Sequence, residues 1–226
     1  LDISGFGGSG ITGADLNADG TPKFSTSNIR MDEVRVGAKG GFGEVWLGDL
    51  DNGCDQLDIT ADQTWWTGQN GAGCKGTDQG NIVYKRGMGP ATVAVSHNPG
   101  AEQSAIGVKG KIGKFGVSAG YEDLKDGSNV AVGLQAGFGP VTVYADMNTL
   151  SSDTAGVADE DSYGVNLYYS RGGLNAYVGV GENNDVGYTE AGIGKSVGKT
   201  DFILELSESD TANTETGYLV GMRHRF

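Results

Sequence analysis

The feature that most constrains the fold of this chain is a strict alternation of apolar and polar residues, repeated in many short segments. Residues 130–138, for example, carry Val130, Val132 and Leu134 on one side of an extended strand and small or polar residues on the other. The same period of two recurs in residues 105–112, 115–121, 141–147, 163–170, 174–180, 188–196, 202–207 and 218–226. Because successive side chains of a β-strand point to opposite faces, this pattern predicts strands with one apolar face. We therefore predict an all-β fold.

The connections between these segments discriminate between all-β architectures, because a soluble β-sandwich would share the alternation. Tight turns (GMGP at 87–90, GFGP at 137–140, RGGL at 171–174) alternate with longer polar connections at 148–161 and 207–215. Short turns at one end and longer loops at the other are typical of outer-membrane barrels. Aromatic residues near strand ends would form the interface girdles: Tyr121, Phe138, Tyr163, Tyr169, Tyr188 and Phe226. We predict one domain, residues 1–226, that forms a transmembrane antiparallel β-barrel of about 14 strands.

Composition and motifs exclude several classes of function. No apolar run approaches the roughly 18 residues of a transmembrane helix. The net charge of −13 argues against nucleic acid as a partner and favours a field that attracts cations. The two histidines, His97 and His224, have the lipid-facing parity, and no G-x-S-x-G, H-E-x-x-H or P-loop pattern is present. We therefore predict that the chain is not an enzyme.

One long segment, residues 51–79, lacks the alternation of its neighbours. It carries both cysteines, adjacent tryptophans at 65 and 66, and five acidic residues against one basic residue, Lys75. A long loop inside a compact strand array is uncommon and usually functional. We interpret it as a loop that folds into the barrel and narrows the lumen. The alternative is a solvated surface loop whose acidic residues have no specific role.

The cysteines, Cys54 and Cys74, lie 20 positions apart in this loop. In an oxidising compartment they would pair, and the chain-entropy model assigns such a closed loop roughly 3 kcal/mol of stabilisation. We predict a structural disulfide. A redox-active pair is the alternative.

If the loop narrows the pore, its carboxylates would line one wall and bases on the opposite wall would face them, which would set ion selectivity. The predicted acidic constriction residues are Asp51, Asp55, Asp58 and Asp62. By parity, the predicted basic residues of the pore wall are Arg35, Lys39, Lys109, Lys111, Arg223 and Arg225. Several other lumen-facing positions carry small residues, which favours an open interior over a filled one. These small residues are Gly107, Gly116, Ser118, Gly120, Gly133 and Gly164.

A short motif near the start, Asp15-x-Asn17-x-Asp19-Gly20, resembles the first half of a calcium-binding loop. The position of the expected bidentate glutamate is Thr26, so the match is incomplete. A plain turn of Asn, Asp and Gly is the alternative. Apart from this possible calcium site, we predict no cofactor.

Three stretches resemble the bacterial general trimeric porins. They are GYLVGMRHRF at the end of the chain, RVGAKGGFGEVWLGDLD at 35–51, and NIVYKRGMGPATVAVSH at 81–97. The resemblance implies a 16-stranded barrel whose constriction loop follows the fifth strand. Here about 14 strands are predicted and the loop follows roughly the third. Either the first hairpin of the family is missing from this chain, or the chain is a smaller, 14-stranded relative.

We therefore expect a water-filled channel in a Gram-negative outer membrane, for passive diffusion of small hydrophilic solutes and ions with a preference for cations. The resemblance implies a homotrimer in contact with outer-membrane lipid. The first alternative is a structural or adhesive outer-membrane barrel with a plugged lumen. A membrane-embedded hydrolase ranks third.

Overall fold

The computed structural model describes residues 35–61, 72–77, 80–211 and 216–224. In these ranges 13 antiparallel strands form one sheet, and each strand pairs with its neighbours in sequence. The strands are β1 (Arg35–Gly40), β2 (Gly43–Gly48), β3 (Asn81–Met88), β4 (Ala91–Asn98), β5 (Gln103–Ile112), β6 (Phe115–Leu124), β7 (Gly127–Phe138), β8 (Val141–Ser152), β9 (Glu160–Arg171), β10 (Leu174–Asn183), β11 (Val186–Val197), β12 (Thr200–Ser209) and β13 (Gly217–His224). Across the described residues, no helix is long and apolar enough to cross a membrane.

The strand register keeps most of the apolar residues of the strands on one face of the sheet. Leu134 of β7 pairs with Val117 of β6 and with Ala145 of β8, so the apolar parity continues from strand to strand. A slip of one residue would move a whole strand's apolar set to the other face, so the alternation specifies the register. We call this apolar side the outward face and the opposite side the polar face.

The outward face is exposed, which is the reverse of what a water-soluble protein requires. Leu134 is 43% exposed, Leu167 46% and Phe202 49%. A continuous apolar surface of this extent needs apolar surroundings. The predicted outward parity of the barrel strands is therefore confirmed.

The two ends of the sheet have different connections. At the end that we call the turn end, six hairpins are closed by two residues each, from residues 41–42 between β1 and β2 to residues 198–199 between β11 and β12. At the opposite, loop end, the connections β2–β3, β8–β9 and β12–β13 are longer. The other connections at the loop end are short, and Asn184 and Asp185 close one of them with positive φ angles of 49° and 63°.

The polar connections predicted at the loop end are shorter than the sequence indicated. Residues 148–152 continue β8, residues 160–161 begin β9, and residues 207–209 continue β12. These positions lack apolar alternation because they extend the backbone ladder beyond the apolar band, and hydrogen bonding alone maintains the strand there.

Most of the buried residues lie on the polar face or in the segment between β2 and β3; Ala136, on the outward face, is an exception. Val83 and Ala94 are fully buried on the polar face, and Cys54, Ile59 and Ala72 are buried in the segment above it. Tyr188, which we predicted in an interface girdle, is instead 8% exposed. It pairs with Gly181 on the polar face, so its parity, rather than its place near a strand end, decides its environment. Phe226 lies outside the described residues.

Candidate functional site

The segment between β2 and β3 packs across the polar face of the following strands. We call residues 49–80 the inserted loop, of which residues 49–61, 72–77 and 80 are described. Its backbone N–H groups donate to polar-face side chains of strands β4, β6 and β8. Gly53 donates to Ser96 Oγ of β4 at 2.8 Å, and Ile59 to Ser118 Oγ of β6 at 2.9 Å. Ala61 donates to Asp146 Oδ2 of β8 at 2.9 Å. The loop therefore crosses the strands of the wall and is anchored to them.

Glycines of the wall let the loop backbone approach closely. A Cβ atom on Gly107 would overlap the carbonyl oxygen of Gly53, and one on Gly133 would overlap that of Ile59. A Cβ on Gly120 would overlap the sulfur of Cys54. We predicted that these small residues leave open space, and for these three glycines that interpretation is wrong. Their missing side chains make room for the loop.

Glu122, a wall residue of β6, accepts four hydrogen bonds beneath the loop. Its side chain is 0% exposed. One carboxylate oxygen accepts the N–H of Gly76 at 2.7 Å and Nδ2 of Asn52 at 2.9 Å. The other accepts the N–H of Lys75 and Nδ2 of Asn129, each at 2.6 Å. In the described part of the chain, no Lys or Arg side chain forms an ion pair with it. Four N–H donors take the place of a cation for this buried charge.

Glu122 was not among the predicted site residues, although its position in the sequence carried a signal. On the polar parity of β6 it follows Gly116, Ser118 and Gly120, so it is the one charged residue at the end of a face of small residues. A lone carboxylate beside small residues indicates a partner that fills their space.

The predicted disulfide between Cys54 and Cys74 is present, with the two Cα atoms 5.8 Å apart. It joins the two parts of the loop that hold Glu122, since Asn52 precedes one cysteine and Lys75 follows the other. Asn129 also donates to the carbonyl oxygen of Gly73 at 3.0 Å. The disulfide and Glu122 therefore belong to one structural unit, which we call the loop anchor: Asn52, Cys54, Cys74, Lys75, Gly76, Glu122 and Asn129.

The predicted acidic residues of the loop differ in exposure. Asp51 is exposed, Asp55 and Asp58 are half-buried, and Asp62 lies outside the described residues. Nδ2 of Asn52 donates to Asp55 at 2.8 Å. Burial raises the pKa of Asp58, and the backbone N–H of Cys74 and the charge of Lys109 oppose that rise.

The predicted basic residues within the described ranges all lie on the polar face, and two of them form ion pairs with nearby carboxylates. Lys39 forms an ion pair with Glu44, and Arg223 forms one with Asp201 at 2.9 Å. Lys111 is exposed near the turn end. The guanidinium of Arg35 lies 5.6 Å from the ring centre of Trp46. Arg225 lies outside the described residues.

Two basic residues contact the loop from the strands on which it is docked, instead of facing it from the opposite wall. Nζ of Lys109 donates to the carbonyl oxygen of Asp58 at 2.9 Å, and Nζ of Lys85 donates to Gln56 at 3.0 Å. Lys85 was not predicted, although its parity with Asn81 indicates the polar face. With Lys39 and Glu44 it lines a recess of about 580 Å³ beneath the loop, towards the turn end.

The wall formed by β9 to β12 holds three buried acidic residues that were not predicted: Glu190, Glu205 and Asp201, the partner of Arg223. Glu190 is 2% exposed and accepts Nδ2 of Asn166 at 3.1 Å. Glu205 is 0% exposed and accepts the hydroxyl of Tyr177 at 2.8 Å. The described polar face therefore carries carboxylates on the wall away from the loop, where bases were predicted. The predicted calcium ligands, Asp15, Asn17 and Asp19, lie outside the described residues.

Solved structures of outer-membrane channels share this fold. A mutant of the Rhodopseudomonas blastica porin is 14% identical and has a TM-score of 0.67, with 90% of this chain and 80% of that chain covered. A triple mutant of the Rhodopseudomonas blastica porin is 13% identical, with the same TM-score of 0.67 and the same coverage of 90% and 80%. The anion-selective porin from Comamonas acidovorans is 19% identical, with a TM-score of 0.65 and coverage of 92% and 81%. None of the curated proteins compared with the chain matches it.

A family model described as Gram-negative porin matches residues 2–226. That match spans both the strands and the inserted loop, and it agrees with the resemblance found in the sequence. Porins are outer-membrane β-barrel channels, so the predictions of a porin barrel, of an outer-membrane location and of a protein without enzymatic activity are confirmed. The chain therefore belongs to the Gram-negative porin family.

Proposed function

We propose that the chain forms a water-filled channel for passive diffusion of small hydrophilic solutes and ions, that the inserted loop is its constriction, and that the channel prefers cations. The observation that carries this proposal is the docking of an acidic loop across the polar face. Asp51 is exposed on the loop, while Asp55 and Asp58 are half-buried. Ions that pass such carboxylates at a constriction have lost part of their hydration, so the local charge weighs heavily on permeation.

The arrangement of the bases supports a preference for cations. Lys39 and Arg223, two of the bases that would oppose the acidic loop, form ion pairs with Glu44 and Asp201. The net charge of −13 adds a negative field over the whole channel. One of the similar structures is described as an anion-selective porin, so the fold by itself does not decide the sign of selectivity. The charges of this chain's own pore residues must decide it.

Simple electrostatics gives the size of the effect. A monovalent cation that passes about 8 Å from one carboxylate interacts with it by roughly 2 kcal/mol at an effective dielectric constant near 20. Each 1.4 kcal/mol corresponds to about a factor of ten in permeability ratio. Even a small part of this interaction energy, left after screening, therefore gives a several-fold preference for cations over anions. The preference should shrink as salt rises through about 0.1 M, where the Debye length is roughly 10 Å.

The test is the zero-current potential across a planar bilayer under a salt gradient. We compare the wild type with a triple variant of the loop, Asp55→Asn, Asp58→Asn and Asp62→Asn. The matched control removes three carboxylates from the outward face at the loop end, by Asp123→Asn, Glu182→Gln and Glu208→Gln. We expect cation preference in the wild type, a clear loss in the loop variant and a smaller change in the control. Anion preference in the wild type, or equal shifts in both variants, would contradict the role of the loop.

The same recordings address the alternative of a barrel with a plugged lumen. A plugged structural barrel gives no single-channel conductance, whereas the proposed channel gives discrete conductance steps. A homotrimer is part of the proposal, on the ground that the resemblance is to trimeric porins. Native mass spectrometry of the detergent-solubilised protein should find three copies of the chain, and a monomer that conducts would contradict the trimer alone.

A further inference from the structure

Charged residues are segregated along the outward face of the described strands. The Asp and Glu residues of that face all lie at the loop end: Asp123, Asp161, Glu182 and Glu208. Its Lys and Arg residues all lie at the turn end: Arg86, Arg171 and Lys195. These three bases are not residues of the polar face, because their side chains start from the outward side of the sheet. A role in the channel interior therefore does not explain them. They surround the apolar band at one of its two borders.

Two of these bases converge on one hairpin. Arg171 of β9 and Lys195 of β11 both pair with Leu174 of β10, so the three residues form one row across neighbouring strands. At a strand spacing of about 4.8 Å, the two basic residues start roughly 10 Å apart. Nζ of Lys195 donates to the carbonyl oxygen of Gly172 at 3.0 Å, which brings the ammonium towards the residue that follows Arg171.

The convergence of these two cations is not balanced by an acidic residue. Both side chains are exposed, and within the described ranges neither forms an ion pair with a carboxylate. The comparable turn-end residue Lys114 differs, because its ammonium lies 4.1 Å from the centre of the Phe138 ring. Two like charges held beside one turn repel each other, and an anion bound between them would remove that repulsion.

The residues around Arg171 and Lys195 indicate which kind of anion would bind there. The outward face next to it, towards the middle of the strands, is formed by exposed apolar side chains: Leu167, Val178, Ile193, Phe202 and Leu204. Such a wall packs against acyl chains. Short turns of an outer-membrane barrel lie on the periplasmic side, so the pair lies at the headgroup level of the periplasmic leaflet.

We propose that Arg171 and Lys195 bind the phosphate of an anionic phospholipid in the periplasmic leaflet, with its acyl chains along the neighbouring apolar wall. Arginine offers a planar fork of N–H donors that matches two phosphate oxygens, and lysine adds a point charge. This inference depends on the barrel and its orientation, and not on the constriction or its selectivity. It therefore goes beyond the proposed channel function.

The experiment is native mass spectrometry of the complete protein, titrated in detergent with phosphatidylglycerol or with phosphatidylcholine of the same acyl chains. We compare the wild type with the double variant Arg171→Gln and Lys195→Gln. The control, Lys111→Gln and Lys125→Gln, removes the same charge, but one residue is on the polar face and the other in a turn at the loop end.

We expect the wild type and the control to retain phosphatidylglycerol in preference to phosphatidylcholine. The double variant should bind phosphatidylglycerol about thirtyfold more weakly, which corresponds to about 1 kcal/mol for each cation. The charge-conserving variant Arg171→Lys should keep most of the preference, which separates lost charge from lost folding. Conductance and reversal potential of the double variant should match the wild type, because both side chains point away from the pore.

Three results would overturn the proposal. The first is a wild type that does not distinguish the two lipids. The second is an equal loss of phosphatidylglycerol in the double variant and the control. The third is displacement of the lipid by soluble glycerol phosphate at the same concentration, because the headgroup alone would then be the ligand and the apolar wall would have no part.

Discussion

Replacing Glu122 with glutamine should release the inserted loop from the wall while the strands stay folded. The two backbone donors, Lys75 and Gly76, bond to different oxygens of the carboxylate. In glutamine one of those oxygens becomes an NH₂ group, so in either orientation one backbone N–H faces another donor. Asn129 cannot turn its amide to compensate without losing its bond to Gly73 and the bond it accepts from Asn148.

The magnitude follows from the bonds that are lost. A hydrogen bond to a charged group contributes about 1.5–3 kcal/mol, and the buried donor left without an acceptor adds a desolvation cost. A shift of about 3 kcal/mol in the docking of the loop is therefore a conservative value. At 1.4 kcal/mol for each factor of ten, the loop should open about a hundredfold more often.

Hydrogen exchange measured by mass spectrometry on the detergent-solubilised protein can follow this opening directly. Exchange in residues 72–77 should accelerate about a hundredfold in Glu122→Gln, while peptides from β9 to β12 keep their wild-type rates. Glu208→Gln is the control, since Glu208 is exposed on the outward face, away from the loop. Wild-type exchange at residues 72–77 in Glu122→Gln would refute the role of Glu122 as the anchor.

Three further predictions test the docking of the loop against Gly120, the assignment of the outward face and the effect of Asp58 on the loop. Gly120→Ala should displace the loop at a cost of about 1–3 kcal/mol, while Gly137→Ala, with nothing within 4 Å, should be neutral in the same exchange experiment. Leu134→Arg should cost about 2–4 kcal/mol in reversible unfolding from lipid, and Gln135→Arg on the polar face should cost little. Equal costs would contradict the assignment of the two faces. Since burial raises the pKa of Asp58 above 3.8, the docked loop should resist proteolysis better as the pH falls through that raised pKa. Asp58→Asn should abolish this dependence, and a loop that loosens on acidification would contradict it.

The strands and their faces could be predicted because the information is local. A period of two in a segment such as residues 130–138 fixes both the strand and the side on which Leu134 lies, and the register repeats that choice in every neighbour. The error at Tyr188 came from using its place near a strand end without its parity. The position near the strand end and the parity could both be read from the sequence. Parity decides on which face of the sheet the side chain lies.

The position at which the loop docks could not be predicted, because glycine residues on a barrel wall are compatible with two opposite arrangements. An open lumen and a wall covered by another backbone both require residues without side chains, so Gly107, Gly120 and Gly133 fit either arrangement. The contacts that decide between them join residues distant in sequence, such as Asn52 and Glu122, 70 positions apart. The irregular segment could be recognised from the sequence, but the wall residues that bind it could be identified only from the structure.

The inserted loop precedes in the chain almost every strand that holds it, and this sets an order of events during assembly. Ala61 is bound by Asp146, which lies 85 positions later, so docking must wait until β8 has joined the sheet. The disulfide spans only 20 positions and can close inside the loop before any of those strands is paired. We therefore expect the loop to enter the barrel as a preformed, cross-linked unit. If the loop is the constriction, as proposed, a chain caught before docking would have its disulfide but not its constriction, and would be a wider and leakier channel.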